Sequence, residues 1–255
     1  MEKVKYKLYV PSGNKTALVI GDWYTKAQKK HINDFILYKH KSVEQVGFVS
    51  EKEYKLTMAG GEFCGNATRC AALYYLGENK NRNISIKVSG MTDKVKAGID
   101  KNSNVYADIK VNSVKKYKGY KIIEIEGITH IVLNENESEK YLCDLTNIKE
   151  KAREIIDNLK VDDKAVGVIF TEKTDKALKI FPIVLVKSID TLFFETACGS
   201  GTVATLMAFD EEKLDILQPS GFIINAQKVE KNSARILGIV QYEAEYEEEI
   251  LWKHI

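Results

Sequence analysis

Two stretches decide how this chain of 255 residues is read: Glu62-Phe63-Cys64-Gly65-Asn66-Ala67-Thr68 and Glu195-Thr196-Ala197-Cys198-Gly199-Ser200-Gly201-Thr202. Each sets a cysteine before a glycine and a small polar residue. Each then runs into an Ala- and Leu-rich segment, Ala67–Leu76 and Thr202–Phe209, that reads as a helix. Both segments are apolar on nearly every face, the mark of a buried helix, so each is expected to be enclosed by the strands of its own half. A thiol at the start of a helix faces free N–H groups and the positive end of the helix dipole. Both favour thiolate over thiol.

Outward from these motifs the two halves continue alike. After Cys64 come a helix, a strand ending in Val88-Ser89-Gly90, and a further strand; after Cys198 come a helix, a short strand, Gln218-Pro219-Ser220-Gly221 and a further strand. The Cys-to-Gly intervals are 26 and 23 residues, which suggests two copies of one structural unit. Strand-like alternation or β-branched content marks Lys5–Val10, Thr16–Ile20, Val43–Val49, Tyr54–Met58, Ile84–Val88, Lys94–Ile99 and Val105–Val111. It recurs at Lys121–Ile125, Thr129–Leu133, Val166–Phe170, Leu178–Val186, Phe222–Asn225 and Arg235–Tyr242. Tyr24–Leu37 and the amphipathic Ile148–Leu159 are the remaining helices. The polar run Lys115–Gly119 is the expected linker. It divides the chain into a domain at 1–115, with 243–255 crossing back to it, and a second at 120–242.

Composition narrows the function classes. Hydrophobic content of 44% and charged content of 29% are ordinary for a globular protein, and 38 basic against 36 acidic residues leave a net charge of +2. That balance suggests no nucleic-acid surface, and lysines interleaved with glutamates around Lys149–Glu154 read as a solvated helix face. No run approaches the apolar length of a membrane span and the first residues carry no export signal, so a cytoplasmic protein with reduced thiols is expected. A separation of six positions between Cys64 and Cys70, with no second pair, is not metal-site spacing. No metal is expected.

An isolated buried cysteine is most often an inert small hydrophobe, and Cys70 and Cys143 are read that way. The shared context of Cys64 and Cys198 is different. Gly65 and Gly199 let backbone approach a ligand closely, Asn66, Thr68, Ser200 and Thr202 can cap the helices, and free N–H groups at each N-terminus can hold a carboxylate. Two thiols arriving from two halves can remove a proton from one face of a carbon and return one to the other face. This is the chemistry of a cofactor-independent racemase or epimerase. Asn14, in the turn Pro11-Ser12-Gly13-Asn14, could direct its amide to a substrate carboxylate. Glu44 stands in the otherwise apolar strand Val43–Val49 and must be paired or functional. Glu62 and Glu195 precede the cysteines by two and three residues and suit either a helix N-terminus or a substrate ammonium. His130 reads as a satisfied strand histidine.

These residues resemble the diaminopimelate epimerase superfamily: Gly65-Asn66 after Cys64, Ala197-Cys198-Gly199-Ser200-Gly201, and Gly13-Asn14. The departures bear on substrate. The Glu-Arg-Gly that usually precedes the second cysteine is absent, Gly-Asn-Pro-His becomes Gly127-Ile128-Thr129-His130, and a further asparagine stands as Ala165. The chain is more similar to the histidine racemase branch known from opine-metallophore biosynthesis. The matching blocks are Pro11–Asn14, Glu44-Gln45-Val46-Gly47-Phe48, Gly61–Thr68, Val88-Ser89-Gly90 and Glu195 leading into Cys198–Thr202. The resemblance implies an α+β, diaminopimelate epimerase-like fold of two pseudo-symmetric domains, each a curled sheet around a central apolar helix, with the site in the cleft between them. It implies an amino-acid racemase, acting on histidine, with Cys64 and Cys198 catalytic. Asn14, Glu44, Gly65, Asn66, Glu195, Gly199 and Ser200 would bind substrate. No cofactor is implied, the partner is a small amino acid, and a homodimer is a candidate assembly. The rival readings are a diaminopimelate epimerase, an isomerase of the phenazine-biosynthesis type, a thiol hydrolase, or a degenerate amino-acid-binding protein that kept the cleft.

Overall fold

The computed structural model describes residues 2–77, 82–175 and 177–251. The first half runs β1 (Glu2–Pro11), β2 (Lys15–Ile20), α1 (Lys26–Lys39), β3 (Val43–Val49), β4 (Lys55–Met58), α2 (Gly65–Leu76), β5 (Arg82–Val88), β6 (Val95–Ile99) and β7 (Val105–Tyr117). The second runs β8 (Tyr120–Ile125), β9 (Ile128–Val132), α3 (Glu135–Leu142), α4 (Ile148–Leu159), β10 (Ala165–Lys173), β11 (Leu178–Val186), β12 (Thr191–Phe194), α5 (Gly199–Phe209), β13 (Lys213–Leu217), β14 (Ile223–Glu230), β15 (Ser233–Gly238) and β16 (Val240–Ile250).

The order of pairing repeats. β1–β2 is antiparallel, β2–β3 parallel, β3–β4 antiparallel, β4–β5 parallel, and β5–β6 and β6–β7 antiparallel. The same series follows in β8–β9, β9–β10, β10–β11, β11–β13, β13–β14 and β14–β15. Parallel neighbours need a crossover. α1 in one half, and α3 with α4 in the other, make the crossover on the outside. α2 and α5 make theirs inside. β7 pairs with β15 through its first residues and with β8 from Val111 onward, closing an eight-stranded ring of β7 to β11 with β13 to β15. β16, which follows β15 directly, pairs along its length with β1. The fold is thus mixed α+β with a closed barrel.

The segment expected as a linker, Lys115–Gly119, is the end of one strand and a tight turn into the next. Lys115–Tyr117 belongs to β7 and pairs with β8 across the tight turn at Lys118-Gly119; its side chains are all exposed, and the backbone ladder with β8 holds the strand there. Of the segment 243–255, residues 252–255 lie outside the described residues. α3 was not expected from periodicity. Its eight residues bury one side chain, Ser138, but Asn134 and Glu137 form a reciprocal cap that is visible in sequence. α1 begins at Lys26, two residues later than expected, because Thr25 is its N-cap.

α2 and α5 share one core. Ala67, Cys70 and Ala71 of α2 and Val203, Ala204 and Leu206 of α5 are fully buried and pack with the inward faces of both sets of strands. Each large apolar side chain enclosed this way contributes about 1.5–3 kcal/mol. That burial, more than intrinsic helix propensity, keeps two short helices in place.

Candidate active site

The buried helices present their N-termini to each other, and this brings the two cysteine motifs together. Cys64 and Cys198 are themselves the N-caps, with extended backbone (φ −137°, ψ 114° and φ −131°, ψ 110°). Each sulfur accepts from the N–H three residues on, Ala67 N at 3.3 Å and Gly201 N at 3.2 Å. The capping role expected of Asn66, Thr68, Ser200 and Thr202 therefore falls to the thiols. The four residues lie inside the first turn, where Thr68 and Thr202 donate back to the Cys64 and Cys198 carbonyls at 2.7 Å each. A Cβ on Gly65 would stand 3.3 Å from Ser200 N, and one on Gly199 would stand 3.3 Å from Asn66 N. This reciprocity brings two positive helix ends face to face. The N–H groups of Gly65, Asn66, Gly199 and Ser200 meet no acceptor among the described residues, which makes the pair of ends an anion-binding site.

The cleft around them has a volume of about 40 Å³, space for a few waters. Of the nine residues singled out from the sequence, all but Asn14 line it. Asn14 is fully buried behind the wall. Its Nδ2 donates to Glu44 Oε2 at 2.6 Å, and its Oδ1 accepts from Thr16 Oγ1 at 3.1 Å and from the Gln45 amide. One N–H of its amide and its carbonyl oxygen are thus engaged by neighbouring side chains. Glu44 borders the cleft, yet its oxygens also accept from Thr196 N at 3.0 Å and from the Thr196 hydroxyl. Burial pushes its carboxyl up, and these donors pull it down. Glu44 thereby ties β3 to the segment leading into Cys198. Gln45, given no role from sequence, accepts from the Cys64 thiol at 2.7 Å. Its signal was a second polar residue beside Glu44 in an apolar strand.

The thiols are not thiolates here. Burial raises both well above the ordinary thiol value, and the Glu195 carboxylate, which also accepts a hydrogen bond from Cys198, adds to the effect. The helix-end N–H bonds act in the direction expected from sequence but are outweighed in a dry cleft holding carboxylates. Burial likewise raises Glu195 to about 8 and Glu62 to about 7, with no cation near either among their described contacts.

Two buried groups steady the second thiol. His130 Nε2 lies 2.9 Å from Ser200 Oγ, which in turn lies 3.6 Å from Cys198 Sγ. His130 Nδ1 has no partner and packs against Gly167, whose missing Cβ would fall 2.2 Å away. A proton on Nδ1 would be a stranded donor, so the proton belongs on Nε2 and points at Ser200. The Ser200 hydroxyl hydrogen is then free for Cys198. Burial lowers His130 to about 3, so it stays neutral. Arg69, fully buried on α2, donates to Asn66 Oδ1 at 2.8 Å, which turns Asn66 Nδ2 onto the Ala197 carbonyl at 2.7 Å. Its described partners are all neutral, so its charge adds to the positive field at the helix ends. His130 was passed over and Arg69 was not singled out, since nothing in sequence shows what either faces.

Comparison with known proteins follows the same lines. Residues 3–245 match the family model described as the histidine racemase CntK N-terminal domain. A histidine racemase of Fusobacterium nucleatum subsp. nucleatum is 31% identical over 233 residues, covering 84% of this chain and 85% of that protein. Among solved structures, a phenazine biosynthesis PhzF-family protein of Enterococcus faecalis aligns with a TM-score of 0.65 at 16% identity, covering 98% of this chain and 100% of that one. A hydroxyproline epimerase of Agrobacterium vitis with bound trans-4-hydroxy-L-proline aligns at 0.60 and 11% identity, covering 96% and 92%. At such identities the structural likeness establishes the fold alone.

Proposed function

The chain belongs to the histidine racemase CntK N-terminal domain family, and from that premise we propose that it interconverts L- and D-histidine without a cofactor, with Cys64 and Cys198 as the acid/base pair. One observation carries the reading: two cysteine N-caps, related by a repeated topology, front the same cleft from opposite helices. The substrate carboxylate is held by the N–H groups of Gly65, Asn66, Gly199 and Ser200, and that binding acidifies the Cα–H. Glu195, beside Cys198, takes the α-ammonium. The arriving cation favours the ionised form of Glu195, whose proton passes to solvent, and balances its charge. With that charge balanced, one thiol releases its proton to water before the cleft closes. The thiolate removes the Cα proton from one face while the opposite thiol delivers its own to the other. Each turnover leaves the two sulfurs with exchanged protonation. Ser200, oriented by His130, donates to Cys198 whenever that sulfur is anionic. Gln45 orients the Cys64 proton. Asn14 and Glu44 act through others: they hold Gln45 and the Thr196 segment and are positioning residues.

The repeated pairing order favours two diaminopimelate epimerase-like units, 1–115 and 120–242, the first completed by β16 as far as Ile250, with the substrate enclosed between them. Closing the cleft over the substrate removes water and strengthens every charge in it.

Solvent deuterium incorporation at Cα, followed by chiral chromatography, tests the proposal. L-histidine is expected to exchange and racemise, and diaminopimelate to do neither. A higher kcat/KM for LL-diaminopimelate would return the protein to the epimerase reading.

A further inference from the structure

Of the three glutamates on the cleft, one is left unsatisfied. Glu44 is taken up by Asn14 and Thr196, and Glu195 by Cys198. Glu62 is 7% exposed, and its Oε2 has no hydrogen-bond partner. The backbone N–H groups of Glu62 and Gly60 steady the carboxyl from one side only. A carboxylate oxygen held dry without a donor costs stability and persists where a ligand supplies the donor.

Its place along the cleft says which part of a ligand that is. Glu195 accepts a hydrogen bond from the Cys198 thiol and so stands at the reacting carbon. Glu62 Oε2 lies instead around the point that a Gly60 Cβ would occupy, together with Val186 and Ser188. A Cβ on Gly60 would lie 2.6 Å from both Glu62 Oε2 and Val186 Cγ1, and 2.8 Å from Ser188 Oγ, so the lone oxygen shares this corner with two residues of the opposite half. Ala59, Val186 and Ile189 make the surrounding wall apolar. Two buried polar atoms of the cleft lining lack a partner among the described residues, Glu62 Oε2 and Thr191 Oγ1, and of these only the carboxylate oxygen is a charged acceptor suited to a flat side chain that carries an N–H.

We infer that Glu62 is the specificity-determining residue: its Oε2 accepts the N–H of a basic substrate side chain, the imidazole of histidine, while Glu195 holds the α-ammonium. The inference rests on the histidine reading above and goes beyond it by assigning the side-chain acceptor. Glu62 thereby chooses the substrate and leaves the proton transfers at Cα to the cysteines.

The test compares the full chain with Glu62→Gln and Gly60→Ala; the latter drives a methyl against Oε2 without removing the charge. Substrates are L-histidine and 3-(2-thienyl)-L-alanine, a five-membered ring without N–H, assayed by chiral chromatography beside thermal melts without substrate. Both variants are expected to raise KM for histidine about tenfold or more, while KM for thienylalanine stays as in the parent. Glu62→Gln is expected to melt no lower than the parent, because an unpaired buried carboxylate is relieved. An unchanged histidine KM, an equal KM rise for thienylalanine, or a Glu62→Gln protein that melts lower or fails to fold would overturn the assignment. The last outcome would make Glu62 a structural support of α2. The two readings fail separately. A parent enzyme that prefers lysine or ornithine, with the preference lost in Glu62→Gln, refutes histidine as substrate and supports Glu62. A parent that prefers an apolar amino acid refutes both.

Discussion

Gly199→Ala measures how closely the two helix ends must approach. The added methyl would lie 2.8 Å from Ile236 Cδ1, 3.2 Å from Asn66 Oδ1 and 3.3 Å from Asn66 N. The Ile236 methyl is the end of a flexible side chain and can turn within its buried site. Asn66 cannot turn, because Arg69 holds its Oδ1 and the Ala197 carbonyl its Nδ2. Relief therefore requires the first turn of α5 to withdraw by a few tenths of an ångström, carrying Cys198 with it. Overpacking of this kind costs about 1–3 kcal/mol, and alanine recovers about 0.5–1 kcal/mol over glycine in a helix. The expected net loss of at most about 2.5 kcal/mol lowers Tm by no more than roughly 10 °C in a chain of this length, so the protein still folds. Activity suffers more than stability. Misplacing a reacting group by about 1 Å costs on the order of 100-fold, so kcat for histidine is expected to fall about tenfold or more at this smaller displacement. Gly65→Ala, whose nearest contacts are 3.2 Å to the ends of Ile109 and Ile236, is expected to do less. Thermal melts and chiral chromatography read both quantities. A folded Gly199→Ala enzyme with parental kcat/KM would refute the claim that helix-end spacing sets the site.

Three further expectations follow from the same geometry. Cys64→Ala and Cys198→Ala should each abolish racemisation while leaving exchange of Cα–H from a single enantiomer, read by mass spectrometry in D2O; near-normal racemisation by either would sink the two-base mechanism. Glu44→Leu strands the Asn14 amide and two Thr196 donors, each worth about 1–3 kcal/mol, and should cut stability sharply in denaturant melts. Glu44→Gln, able to point its amide at the Thr196 hydroxyl, should lose about 1–2 kcal/mol; a rise in histidine KM at unchanged stability would restore Glu44 to substrate binding. Glu62 and Glu195, raised to about 7 and 8, hold protons that the unfolded chain releases above about pH 4.5. Their contribution is full below that pH and is lost as pH rises through 7 and 8. Glu195→Gln should therefore flatten the fall in ligand-free Tm between pH 5 and 8, and an unchanged slope would show that Glu195 does not carry that proton.

Much of the site was legible because its chemistry is local. Cysteine, glycine and a helix start within four residues suffice to place a thiol on free N–H groups, whatever surrounds them. Long-range partners were not legible. Asn14 and Glu44, both expected at the substrate, bond each other, and Glu44 also bonds Thr196, 152 residues further on. No spacing rule anticipates such a contact. His130 and Gln45 gained meaning only from the atoms opposite them, Ser200 Oγ and Cys64 Sγ.

The sequence by itself determined the two cysteine motifs, the buried character of Ala67–Leu76 and Thr202–Phe209, the strand-rich frame and the family resemblance. These depend on residue type and short-range period, which the chain carries in its order. Only the tertiary structure decided that Cys64 and Cys198 front one cleft, that the lysine-rich run at Lys115–Tyr117 is strand, and that the thiols are held protonated. It also decided which glutamate is left without a donor. Those outcomes depend on desolvation and on charges brought within a few ångströms by strand pairing across the whole chain. The same helix-end thiol that would ionise in water is pushed the other way when carboxylates are enclosed beside it.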